Sequence, residues 1–236
     1  MKHIYLDKFF YFFLLVIVLT GNFNYFLGYF SLLFIHEIGH AITGIVLGYK
    51  LKKIVFYPLG GITTFCLPVN IPLKKEFLIL IMGPVMQIIG YLFLIKFYPF
   101  IRVYHYSILI FNLLPLYPLD GGKILNILCN YRFNYLKSFK IVYCISLIMI
   151  IFLLFYCYLK FNLNLLLMIF FMSHKLFKTY KNRFYYYQRF LLERYLYHYY
   201  FPRLKYVDSI KEFYRDCEHI INYQKEQNFL KKYFMK

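Results

Sequence analysis

Residues 23–48 read FNYFLGYFSLLFIHEIGHAITGIVLG, and this stretch decides the fold. It is long and apolar enough to cross a bilayer, which takes about 20 residues, yet it holds His36, Glu37 and His40. At helical spacing the two histidines stand one turn apart on the same face, so two imidazoles can grip one metal ion. Glu37 is rotated about 100° from His36, close enough to accept a proton from water at the metal without being a ligand. The alternative is a polar helix stripe facing a water-filled crevice, which leaves three costly side chains at membrane depth with no ion to compensate them.

The rest of the chain agrees with a membrane setting. Of 236 residues 61% are apolar and 16% charged, against about 25% charged in soluble domains, so a single soluble domain is excluded. Apolar segments fall at about 9–20, 23–48, 76–98, 103–119, 141–159 and 162–174. The expected fold class is an all-α polytopic membrane protein of about six transmembrane helices, with a short membrane-surface β-hairpin and a small cytosolic C-terminal appendage. The first span follows Lys2 and Lys8 as a signal peptide would, but no small-x-small cleavage site follows Leu19, so a retained helix is expected.

The net charge is +18. Lys and Arg sit mostly beside apolar runs, where they orient a membrane protein, which argues against nucleic acid as a partner and for the lipid bilayer. Counted between the apolar segments, 11 fall on one side and 3 on the other, and 14 more follow from Lys175 onward on the richer side. Both termini are therefore expected in the cytoplasm. The five cysteines form no C-x-x-C pair and read as small reduced thiols.

Residues 1–173 contain only four carboxylates, Asp7, Glu37, Glu76 and Asp120. A catalytic zinc takes three protein ligands and keeps one position open, so the third ligand must come from a short list. Asp120 lies in Asn112-Leu-Leu-Pro115-Leu-Tyr-Pro118-Leu-Asp120-Gly-Gly122, on the side His36 and His40 approach. Pro115 and Pro118 stop a regular helix, and the glycines let the backbone turn and aim a carboxylate sideways. The competing role for Asp120 is to cap a helix beginning at Lys123.

Between the second and third segments, KKIVFYPLGGITTFCLPV reads as two short β-type runs, 54–57 and 62–66, around Gly60-Gly61. This hairpin either offers an edge to an extended substrate or is a plain surface ribbon. His105 and His174 read as interfacial side chains, and His198 and His219 as tail residues without partner spacing.

HEIGH followed by NLLPLYPLDGG resembles the site-2 protease family of intramembrane zinc metalloproteases, and within it the subgroup that processes a sporulation sigma-factor precursor. The resemblance covers most of residues 1–175. It implies His36, His40 and Asp120 as ligands of Zn2+, Glu37 as catalytic base, and Asn112, Pro115 and Pro118 beside the substrate; Gly60 and Gly61 are substrate-binding candidates from the hairpin reading, not from the resemblance. It further implies a membrane-tethered protein substrate, inhibitory membrane-protein partners and the mother-cell membrane around the forespore, and it leaves a homo-oligomer open. The expected division is a transmembrane metalloprotease domain, 1–178, and a basic cytosolic region, 179–236. The latter is similar to a degenerate cystathionine-β-synthase-like (CBS-like) module, but it is short and Tyr-rich and lacks a nucleotide-contacting pattern, which argues against ATP there; the alternative is a cationic, aromatic helix lying on anionic lipid. A divalent-cation transporter and a non-proteolytic metal-binding membrane protein are the competing functions; neither needs a base beside its first ligand.

Overall fold

The computed structural model describes residues 4–57, 60–197, 199–201, 203–221 and 223–235. Pro58, Leu59 and His198 lie outside the described residues. Each of the six apolar segments contributes a helix: α1 (Lys8–Leu19), α2 (Phe23–Val46), α3 (Leu73–Leu94), α4 (Ile101–Leu113), α6 (Tyr135–Leu159) and α7 (Leu163–Lys181), with α5 (Asp120–Arg132) between the fourth and fifth. Among the described residues, α2, α3 and α6 are long and apolar enough to cross a membrane. With 12 and 13 residues, α1 and α4 extend only about 20 Å, short of a hydrocarbon core of about 30 Å. The protein is a mostly helical, polytopic membrane protein.

One compact unit comprises the residues up to Leu67 together with Phe77–Leu114. Its sheet has the order β1-β2-β3, from Ile4–Leu6, Leu51–Tyr57 and Gly60–Phe65. The β2–β3 pair is the expected antiparallel hairpin, with Val55 opposite Ile62 and Phe56 opposite Gly61. Gly60 and Gly61 belong to strand β3 rather than to the turn. Strand β1 adds in parallel, Tyr5 against Val55, which no pattern in three residues announces. Phe10, Phe26, Leu33, Ile54 and Phe56 form a core between helices α1 and α2 and the sheet. Phe30 stacks on Phe26 and meets Phe56 edge-on at 5.2 Å, so α2 is fastened to the strand that carries the hairpin.

The second unit comprises Pro68–Glu76 and the residues from Pro115 on. Helices α6 and α7 are started by Asn134 and Asn162, whose side chains accept from the backbone N–H of Lys137 and Leu165, as N-caps do. Further along α6, Ile148, Ile151, Phe152 and Phe155 are exposed apolar side chains, a surface suited to lipid. Beyond α8 (Arg183–Tyr197) the chain folds into β4 (Leu204–Tyr206), β5 (Glu218–Ile221), β6 (Gln224–Lys225) and α9 (Glu226–Phe234). Phe190, Leu191, Phe213, Ile221 and Leu230 are its core, and Val69 and Tyr135 pack against it.

Candidate metal centre

Helix α2 buries His36, Glu37 and His40 on the face that carries Leu33 and Gly44. The two imidazoles stand nearly perpendicular, at 83°, with their Nε2 atoms 3.2 Å apart. What the other ring nitrogens touch decides the chemistry. His40 Nδ1 lies 2.7 Å from the Ile79 carbonyl oxygen, which can only accept, so Nδ1 carries the proton. His36 Nδ1 lies 3.0 Å from Gln87 Oε1, and the Gln87 amide nitrogen donates to the His105 carbonyl at 3.0 Å, which fixes the amide with its oxygen toward His36. Both Nε2 atoms therefore present lone pairs toward one another. Their spacing is close to the edge of about 3.3 Å expected for two nitrogens in a tetrahedral zinc shell. Two facing lone pairs repel, and a cation between them removes the conflict.

Helix α3 is shaped to the second histidine. A Cβ on Gly83 would overlap the His40 ring, and one on Gly39 of α2 would come within 2.5 Å of the Met82 carbonyl oxygen. Glycine at these two places lets α2 and α3 approach closely enough for Ile79 and Gln87 to reach the imidazoles.

Asp120 is buried and is the first residue of α5. The helix thus starts three residues before Lys123, and the Lys123 Nζ stands 3.4 Å from Asp120 Oδ1. The preceding turn is set by Leu119 N–H donating to the Leu116 carbonyl at 2.8 Å and Tyr117 N–H donating to Ser146 Oγ at 2.9 Å. Gly122 is required there, since its Cβ would lie 2.5 Å from Leu116 C and Tyr117 N. His36 and His40 belong to the first compact unit and Asp120 to the second. Two neutral imidazoles and one carboxylate, all buried, suit a zinc ion that keeps a position for water or substrate.

Glu37 is oriented from the hairpin. Thr63 Oγ1 donates to Glu37 Oε2 at 2.6 Å, and a Cβ on Gly61 would overlap Glu37 Cγ. Asn112 Nδ2 lies 3.5 Å from His36 Nε2. Pro115 and Pro118 are half-buried in the turn that leads to Asp120.

Four contributors escaped the sequence reading: Gln87, Thr63, Gly83 and the Ile79 carbonyl. Gln87 was the most accessible, since an amide in an otherwise apolar run is expensive unless bonded. Two histidines were misplaced. His105 is a buried residue of α4 stacked on Tyr91 at 4.0 Å, not an interfacial one. His219 does have a partner, with Nδ1 2.7 Å from Glu226 Oε2.

The match of residues 91–156 to the Peptidase family M50 model takes in the Asp120 motif. The chain is 33% identical over 192 residues to stage IV sporulation protein FB of Bacillus subtilis, covering 75% of this chain and 66% of that protein. It is 34% identical over 156 residues to a zinc metalloprotease of Methanocaldococcus jannaschii, covering 58% of this chain and 45% of the relative. The chain thus spans about two thirds of the first relative and under half of the second. The solved structure of a site-2 protease from Methanocaldococcus jannaschii superposes with a TM-score of 0.59 at 26% identity, over 75% of this chain and 91% of that one. A buried pair of facing imidazoles in a helical membrane fold, together with these likenesses, places the chain in peptidase family M50, the site-2 protease type of zinc metalloprotease.

Proposed function

We propose that the chain hydrolyses a peptide bond in a membrane-tethered or membrane-spanning protein near the cytoplasmic face, with a sporulation sigma-factor precursor as the substrate. The observation that carries the reaction is Glu37, buried next to His36 and His40 and held by Thr63. The 33% identity to the sporulation protein supports the choice of substrate. His36, His40 and Asp120 would hold a zinc ion, which would supply Lewis acidity to polarise the scissile carbonyl and make water nucleophilic near pH 7. Glu37 accepts the proton of the attacking water as its oxygen adds to the carbonyl carbon, then delivers that proton to the amide nitrogen as the C–N bond breaks.

A helical substrate hides its peptide bonds in its own hydrogen bonds, so it must be drawn out before attack. Strand β3 lies at the edge of its sheet and carries both Gly61 and Thr63, so an extended segment added there would run past Glu37. Gly60, Gly61, Asn112, Pro115 and Pro118 are the proposed substrate contacts. We read 1–178 as the protease domain and 179–236 as a cytosolic, CBS-like appendage without an ATP role. Both termini lie in the cytoplasm, the protein resides in the mother-cell membrane around the forespore, and inhibitory membrane proteins restrain it.

Co-expression with a membrane-tethered sigma-factor precursor tests the reading. Wild type should release the shortened product, and Glu37→Gln should retain zinc yet release none. Equal cleavage by the variant removes Glu37 from the mechanism; metal flux into vesicles without any cleavage would favour a transporter.

A further inference from the structure

The segment between β3 and α3 is gripped by side chains from far along the chain. The Leu73 N–H, first in α3, donates to Asp216 Oδ2 at 2.8 Å. Arg215 Nη2 donates to the Ile71 carbonyl at 2.8 Å and stands 2.7 Å from Glu76 Oε2, meeting it as a charge rather than as an aligned hydrogen bond. Just upstream, the Val69 and Asn70 N–H groups donate to Glu193 Oε2 at 2.5 and 3.2 Å, and Arg194 Nε donates to Asn70 Oδ1 at 2.8 Å. Arg194, Glu193, Arg215 and Asn70 are all buried.

Two features separate this grip from ordinary packing. Asp216 holds φ at 51°, a left-handed conformation that non-glycine residues adopt at a cost and that gathers where a contact is used. Its carboxylate also meets the positive end of a helix, where the unpaired N–H groups favour a negative charge. Arg215 and Asp216 therefore take hold of the first turn of α3 from both its charged groups and its backbone.

Helix α3 is one 22-residue rod with Pro84 inside it. Proline removes the hydrogen bond that position 84 would make to the Leu80 carbonyl, so the first half, 73–83, is the part most firmly coupled to the gripped turn. That half carries the Ile79 carbonyl, which fixes the proton of His40, and Gly83, which makes room for the ring. We infer that Arg215 and Asp216 are positioning residues for the metal centre: by fixing the first turn of α3 they set the Ile79 carbonyl against His40. The inference rests on the reading of His36 and His40 as zinc ligands.

The test is zinc loss from purified full-length protein to excess chelator, for wild type, Asp216→Ala, Asp216→Asn and Tyr206→Ser. Loss of a residue that orients a ligand costs about 10- to 100-fold in metal affinity. Asp216→Ala, acting one step further out, should lose zinc about tenfold faster at unchanged helicity. Asp216→Asn, whose amide oxygen still accepts from Leu73, should recover most of the difference, and the exposed Tyr206→Ser should match wild type. Should Asp216→Ala fail to fold, Arg215→Gln replaces it with the same expectation. Zinc loss within twofold of wild type in the folded Asp216 or Arg215 variant overturns the inference. A wild type that takes up no zinc brings down the metal reading as well, whereas a zinc-loaded wild type with unchanged variants brings down the positioning role alone.

Discussion

The Thr63 hydroxyl donates to Glu37 Oε2 across 2.6 Å, so a residue of the surface hairpin holds the carboxylate that neighbours the histidine pair. A hydrogen bond to a charged group contributes roughly 1.5–3 kcal/mol. Thr63→Val keeps the shape and removes the donor, so kcat on a tethered substrate should fall about 10- to 100-fold. Zinc content should not change, and Thr63→Ser should recover most of the rate. A Thr63→Val enzyme with wild-type kcat would show that the hairpin does not orient the base.

Gly83 gives a prediction whose sign is diagnostic. In a helix interior Gly→Ala ordinarily stabilises by about 1 kcal/mol. At Gly83 the added methyl overlaps the His40 imidazole, so Gly83→Ala should instead displace the ring and lower zinc stoichiometry, with membrane insertion intact. Metal analysis of the purified variant checks this, and full zinc occupancy would contradict the geometry.

Gln87 joins His36 Nδ1 to the His105 carbonyl. Gln87→Leu removes the acceptor that fixes the His36 tautomer and leaves a buried N–H unpaired. Zinc affinity should fall about 10- to 100-fold, the range found when a ligand loses its orienting partner, as read by competition with a chromogenic chelator.

The histidine pair, Asp120 and the hairpin were legible in the sequence because each is a local signal: helical spacing, a turn-rich motif after an apolar run, two β-type runs about a Gly pair. Thr63 and Gln87 were not, since what matters about them is which residue they meet 26 and 51 positions away. The three-residue strand β1 is too short to show a period. Six apolar runs were visible and six helices formed, yet 12 residues in α1 and 13 in α4 fall short of a crossing length on their own. Arg194 and Glu226 fall in the region read as a basic cytosolic appendage. They are buried against each other at 2.9 Å, an arrangement that residues 32 positions apart do not announce.

The same tail carries an acid sensitivity whose direction follows from the geometry of His219. Its Nε2 accepts from the Tyr214 N–H at 2.9 Å, so that nitrogen has no room for a proton, while Nδ1 faces Glu226 Oε2. Burial holds the imidazole below its ordinary range, against the pull of the Glu226 hydrogen bond, and the nearby Arg194 and Lys205 add to the depression. Glu226 is also lowered: burial would raise it, but the His219 hydrogen bond and the Arg194 charge outweigh that. Both groups bind protons more readily in the unfolded chain, so stability is full above about pH 6.5, the unfolded histidine value. It falls as His219 is forced to charge below that pH, and falls again below about 4.5 as Glu226 takes up its proton. Hydrogen exchange across 203–235 in the full-length protein should therefore quicken between pH 7 and 5. His219→Gln should flatten that window and leave only the lower one. Exchange in wild type that is unchanged across pH 7 to 5, after correction for intrinsic rates, would mean that His219 does not carry the sensitivity.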